Sequence, residues 1–148
     1  MSLSADLREF IGLLNSRGVD YVIVGAHSLA FHGRPRYTGD LDILIRPTAD
    51  NATKLTSLLR DFGFAKSDFE ETDFTATDQI VQLGRAPSRI DLLTSLSGVR
   101  IDDAFRTRLS AKLEELPVFV LSKDLLIKNK KAVGRPQDIA DLESLEQT

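Results

Sequence analysis

Asp40 and Asp42 stand two residues apart at the head of the apolar run Ile43-Leu44-Ile45, and Asp91 interrupts a second apolar pattern, Arg89-Ile90-Asp91-Leu92-Leu93. Successive side chains of a strand point to opposite faces, so Asp40 and Asp42 share a face and Leu41 takes the other. Two like charges ~4 Å apart repel by roughly 4 kcal/mol at an effective dielectric near 20, but by only ~1 kcal/mol in bulk water. On an open surface the pair costs little and implies nothing; in a cleft it requires a positive partner. A divalent cation fits, because carboxylate oxygens suit Mg²⁺ or Mn²⁺, and Mg²⁺ is typically held by one or two carboxylates together with substrate phosphates. With Asp91 on a neighbouring strand, the three carboxylates could hold two metals ~3.5–4 Å apart, one acting on an attacking hydroxyl and one on phosphates.

A glycine turn supplies the complementary half. Gly25 follows the apolar run Tyr21-Val22-Ile23-Val24 and opens a short helix, so the N–H groups of Gly25 and Ala26 and the hydroxyl of Ser28 are candidates for an anion. Asp40 lies fifteen residues on, a distance that one short helix and a return loop would close. Arg34 and Arg36 in that loop suit phosphate or an acceptor, or equally a solvated surface. Lys128 and Lys131, three apart on one helix, suit a triphosphate or a carboxylate partner. His27 and His32 are five apart, which excludes the i, i+4 metal pair of a helical zinc site. Arg135 and Asp138 read as a structural link between the last two helices.

The elements that must position these residues follow from periodicity. Leu7, Phe10, Ile11 and Leu14 form the stripe of a helix from about Ala5 to Arg17, with Ser4 as N-cap. Tyr21 to Val24 is a buried strand, Ala26 to His32 a short helix, Leu41 to Ile45 a second strand, and Ala49 to Phe62 a helix ended by Gly63. A weak strand is expected around Phe74. Ile80 to Leu83 and Arg89 to Leu93 are expected as an antiparallel pair, followed by a short helix near Asp102 to Thr107. Leu109, Ala111 and Leu113 alternate before Pro117-Val118-Phe119-Val120, which suggests a second hairpin. Ser122 caps a helix to about Ala132, and Pro136 suits the first position of the last. The expected fold is α/β (α+β): a mixed, mostly antiparallel sheet flanked by helices on at least one face, within one domain over residues 1–148 and with C-terminal helices from about 122.

The whole chain bounds the function classes. Its 148 residues, 42% hydrophobic and 28% charged, match an ordinary globular protein. A net charge of −3 argues against a protein that coats nucleic acid, without excluding a local basic groove. No run approaches the roughly 20 apolar residues that cross a bilayer, and the N-terminus lacks a secretory pattern. With no cysteines, disulfides and thiolate zinc sites are out, and a cytoplasmic location is expected. The acidic cluster Asp68, Glu70, Glu71, Asp73 and Asp78 reads as solvated surface.

Taken together, Val24-Gly25-Ala26-His27-Ser28, the turn Gly33-Arg34-Pro35-Arg36, Asp40-Leu41-Asp42 and Asp91 resemble the signature of the DNA polymerase β-like nucleotidyltransferase superfamily in its minimal form. The tail from Asp124 through Lys128, Gly134-Arg135-Pro136, Asp138 and Asp141 is similar to small prokaryotic members, including abortive-infection and toxin-type nucleotidyltransferases. The resemblance covers most of the chain from Asp20 to Leu145. It implies Asp40, Asp42 and Asp91 as catalytic metal ligands for Mg²⁺ or Mn²⁺, with Asp91 helping to deprotonate the acceptor hydroxyl. It implies Gly25, Ala26, Ser28, Arg36 and Lys128 at the nucleotide, and an NTP, ATP among the candidates, as donor to an RNA, protein or small-molecule acceptor. Where the family carries a second glycine or a serine, this chain has Ala26, which keeps the backbone donor and loses a side-chain one. The alternative is an inactive binding or regulatory module of the same fold, such as one half of a toxin–antitoxin pair with a cognate protein partner.

Overall fold

The computed structural model describes residues 3–33, 40–85 and 88–146. Helix α1 (Ala5–Ser16) starts where the Ser4 hydroxyl accepts the Leu7 N–H at 3.2 Å, and it buries the expected stripe Leu7, Phe10, Ile11 and Leu14. Strand β1 (Tyr21–Val24) is buried throughout and runs without a loop into α2 (Gly25–Phe31). Strand β2 (Asp40–Ile45) leads to α3 (Ala49–Phe62), capped by Thr48 and stopped by Gly63 at φ 110°. Strands β3 (Ile80–Leu83) and β4 (Arg89–Leu93) follow, then α4 (Ile101–Arg106). Strands β5 (Leu109–Leu113) and β6 (Leu116–Val120) precede α5 (Lys123–Val133), capped by Ser122, and α6 (Pro136–Glu146).

The strands form one six-stranded sheet in the order β3-β4-β2-β1-β6-β5. Pairings β1–β2, β3–β4 and β5–β6 are antiparallel, while β1–β6 and β2–β4 are parallel, so the mixed, mostly antiparallel expectation holds. Helices cover both faces. Tyr21, Ile23, Leu41, Ile43 and Ile45 belong to the larger core, with the apolar stripes of α1 and α3. Val22, Val24 and Leu44 point the other way and meet Leu29 of α2, Phe105 of α4 and Leu126 of α5. Asp42 alternates with Ile43, so it belongs to this second face, at the end where α2 begins.

The segment around Phe74 departs from expectation. It holds two turns of 3₁₀ helix, Lys66–Asp68 and Glu71–Phe74, and no strand. The Glu70 and Asp73 side chains cap the second turn reciprocally, which satisfies its N–H groups locally and lets Phe74 fill the core without a sheet partner. The β5–β6 hairpin turns at Glu114 and Glu115, at φ 49° and 70°, the left-handed pair of a two-residue turn made here without glycine.

Candidate active site

Strand register brings the carboxylates together. Val24 lies opposite Asp42 across β1–β2, and Asp42 lies opposite Asp91 across β2–β4. Gly25, the next residue after Val24, therefore sits against the Asp42 side chain: at φ 68°, a Cβ added there would stand 3.0 Å from Asp42 Cγ and 3.1 Å from its Cβ. Only glycine allows this approach, so the turn and the first carboxylate are one packing unit.

Asp42 and Asp91 face each other in a nearly dry setting, Asp91 being 8% exposed. Burial, followed by the charge of Asp91, its hydrogen bond and the charge of Asp40, pushes the Asp42 carboxyl up to about 7, against a smaller pull from Arg89. The positive partner is Arg89. Its Nε donates to Asp91 Oδ1 at 3.0 Å and its Nη2 to Oδ2 at 3.2 Å, while Nε lies 3.6 Å from Asp40 Oδ1. Arg89 was legible in principle, because Arg-x-Asp on a strand puts both side chains on one face. Among the described residues no group of three or more acidic or histidine side chains is assembled for a metal. Asp40, Asp42 and Asp91 share one face of β2 and β4, where Arg89 reaches Asp40 and grips Asp91. The Asp42–Asp91 pair does fit a divalent cation by donor chemistry, one half-buried and one buried carboxylate whose mutual repulsion a cation would relieve, with substrate phosphates as further ligands. Replacing Arg89 with Met should lower the melting temperature in the absence of metal, and Mn²⁺ should then raise it more than in the wild type. A melting temperature unmoved by the substitution would show that Arg89 is not the counter-charge.

Asp42, though not Asp91, lines a cleft of about 380 Å³, together with Gly25, Asp78, Asn129, Lys130 and Arg135. Lys128 is exposed and does not line it. Leu126 and Lys130 are buried at i and i+4, and that spacing was the signal for Lys130, while the exposed Val133 at i+7 borders the cleft. Ser28 is fully buried, and its hydroxyl has no hydrogen-bond partner among the described residues. Ala26 is buried beside Gly25. Arg34 and Arg36 lie outside the described residues. His27 is buried, its pKa pushed down by that burial and only partly restored by the Asp40 backbone, and it lines a separate cavity of about 290 Å³. His32 donates from Nε2 to the Leu121 carbonyl at 2.8 Å.

Behind the cleft, Lys130 Nζ is 3.3 Å from Asp138 Oδ1 and 3.0 Å from Asp141 Oδ2, with all three residues buried. Arg135 completes the network, its Nε donating to Asp138 Oδ2 at 2.7 Å and its backbone N–H to the same oxygen at 3.1 Å. The expected Arg135–Asp138 link therefore exists, as the start of α6. Hydrogen bonding by Arg135 holds the Asp138 carboxyl down to about 2, against the cost of burial. A carboxyl held below its unfolded value contributes stability above that value and loses it as pH falls through the folded one. Between about pH 4 and pH 2 the wild type should lose roughly 2 kcal/mol that an Asp138→Asn variant does not lose. Denaturant melts across that window measure it, and parallel curves would contradict it.

The sequence matches the model of the family described as "Nucleotidyl transferase of unknown function (DUF2204)" over residues 3–148. Among solved structures, the fold is similar to that of a candidate nucleotidyltransferase from Thermotoga maritima, with a TM-score of 0.62 at 17% identity, over 95% of this chain and 88% of that one. It is also similar to an antigenic nucleotidyltransferase-like protein from Paracoccidioides brasiliensis, with a TM-score of 0.56 at 26% identity, over 98% of this chain and 78% of that one. No curated protein matches the sequence. Among the described residues no helix is long and apolar enough to cross a membrane. On the family match across nearly its whole length, in a chain whose sheet sets Asp42 against both Asp91 and a glycine turn, this protein belongs to the nucleotidyl transferase family of that description.

Proposed function

We propose that the chain is a divalent-metal-dependent nucleotidyltransferase that moves a nucleoside monophosphate from an NTP to a hydroxyl acceptor and releases pyrophosphate. The observation that carries this is the Asp42–Asp91 pair, a half-buried carboxylate against a buried one, with Asp42 set against Gly25 in a cleft that Lys130 and Arg135 also line. Asp42 and Asp91 would hold the cation, with Asp40, on the same face, as the third carboxylate. When bound, the cation supplies charge neutralisation at phosphate oxygens and favours the ionised acceptor hydroxyl. Asp91 accepts the acceptor's proton, and the Gly25 and Ala26 backbone contacts the triphosphate; Ser28, buried and with no hydrogen-bond partner for its hydroxyl among the described residues, would join them only if α2 shifts on binding. Catalysis is then mainly positioning and electrostatics. The proposed setting is cytoplasmic.

A second reading, an inactive binding module such as a toxin–antitoxin component, is favoured by the engagement of Asp40 with Arg89. Incubation with each labelled NTP, Mg²⁺ or Mn²⁺ and pooled RNA, protein and small-molecule acceptors separates the two. Label transfer by the wild type, reduced at least ~100-fold in Asp42→Asn, supports the enzyme. NTP binding without transfer to any acceptor would leave the binding module standing, and equal transfer by the variant would remove the aspartates from the mechanism.

A further inference from the structure

A nucleotidyltransferase cleft must accept a polyanion, yet the carboxylates that line this one, Asp42 and Asp78, repel one. Among the described residues that line it, the cationic side chains are Lys130 and Arg135. Lys130 is 4% exposed and its ammonium is committed to two carboxylates, Asp138 and Asp141, so it has little capacity left for a ligand. Lys128 is exposed, but off the cleft. Arg135 differs from both. Its side chain is 65% exposed although the carboxylate it grips is 1% exposed, so the guanidinium is anchored on one edge and open on the other. Nε and Nη2 point at the two Asp138 oxygens, at 2.7 and 3.3 Å, and the group's remaining N–H donors have no partner among the described residues. A guanidinium fixed by a carboxylate presents its outer donors in one orientation, and that planar fork matches phosphate oxygens.

We infer that Arg135 is the polyphosphate-binding residue of the cleft, pre-oriented by Asp138 to grip the phosphates of an NTP whose metal sits at Asp42 and Asp91. This rests on the nucleotidyltransferase reading and adds the group that gives the site its preference for a triphosphate over a nucleoside. Lys130 is shared between Asp138 and Asp141, so the four charges of the cluster balance, and what Arg135 offers outward is its oriented N–H donors.

The test uses the full chain and inorganic tripolyphosphate as probe, with Mn²⁺ present, followed by calorimetry. The wild type should bind the probe, and Arg135→Ala should weaken it roughly 10- to 100-fold, as expected for charge-assisted hydrogen bonds to phosphate. Arg135→Lys keeps the charge and loses the fork, so it should fall between the two; it also serves if the alanine variant does not fold. Binding of Mn²⁺ alone should be unchanged in both variants. A purely structural Arg135 would lower the melting temperature and leave probe affinity intact in the folded lysine variant, which would overturn the assignment. A loss of equal size in Arg106→Ala, an exposed arginine of α4 outside the cleft, would reduce the effect to net charge and overturn it as well. If the wild type binds Mn²⁺ but neither tripolyphosphate nor any NTP, the nucleotidyltransferase reading itself falls; if only the Arg135 variants behave as wild type, that reading stands and the Arg135 assignment falls.

Discussion

Asp42→Asn should make the metal-free protein more stable while removing its affinity for Mn²⁺. The sign follows from the Asp42 carboxyl, which is pushed up to about 7 by burial and by Asp91. A carboxyl raised in the folded state binds protons there that the unfolded chain has already released. Stability therefore falls as pH rises from about 4 to about 7, and stays at its lower value above that. At pH 8 the wild type holds the half-buried Asp42 carboxylate against the buried one of Asp91. Asparagine has nearly the same shape and no charge, and its amide can donate to Asp91. A gain of about 1–3 kcal/mol at pH 8 is expected, shrinking towards zero near pH 4, where Asp42 is already protonated. Denaturant melts at both pH values, with and without Mn²⁺, measure all of this. A variant less stable than wild type at pH 8 would show that Asp42 is a structural anchor. Opposite signs for stability and metal binding are the mark of a residue kept for its chemistry.

Gly25→Ala should have the opposite character, with a large loss of stability and the metal site damaged together. The φ of 68° alone disfavours a side chain, by about 1–2 kcal/mol. The added methyl would also press on Asp42 Cβ and Cγ, which cannot swing aside, because β2 is pinned between β1 and β4. The combined loss should be about 3 kcal/mol or more, and what remains folded should bind Mn²⁺ poorly because Asp42 is displaced. Gly12 provides the contrast. It lies within α1 with open space where a Cβ would go, so Gly12→Ala should stabilise by about 0.5–1 kcal/mol. Equal effects at the two positions would mean that the Gly25 contact is not tight.

The parts of this fold that were legible are those where a local pattern coincides with the tertiary demand. Tyr21–Val24, Ala49–Phe62, Ile80–Leu83 and Arg89–Leu93 have the bounds expected from apolar runs and caps. The Asp40/Leu41/Asp42 alternation placed two carboxylates on one face, and register then set Asp42 against Asp91. What escaped was set by partners distant in sequence. Phe74 has the look of a strand residue, and the capping of Glu70 and Asp73 diverts its backbone. Lys128 and Lys130 are indistinguishable by composition, and only the side of α5 that packs on the sheet separates them. Arg89 read as part of a strand pattern, while its role depends on Asp40 lying opposite it on a parallel neighbour.

That parallel pairing has a consequence for how the site comes into being. Asp42 and Asp91 belong to adjacent strands, yet the chain between them must build α3, the 3₁₀ turns and the β3–β4 hairpin before they meet. During synthesis, a ribosome-bound chain that ends before β4 carries the glycine turn and Asp42 but lacks their opposing carboxylate. The repulsion that adds to the effect of burial on Asp42 thus arrives only with β4, and the cleft is complete only after β6 has joined β1 and α5 and α6 have brought Lys130 and Arg135.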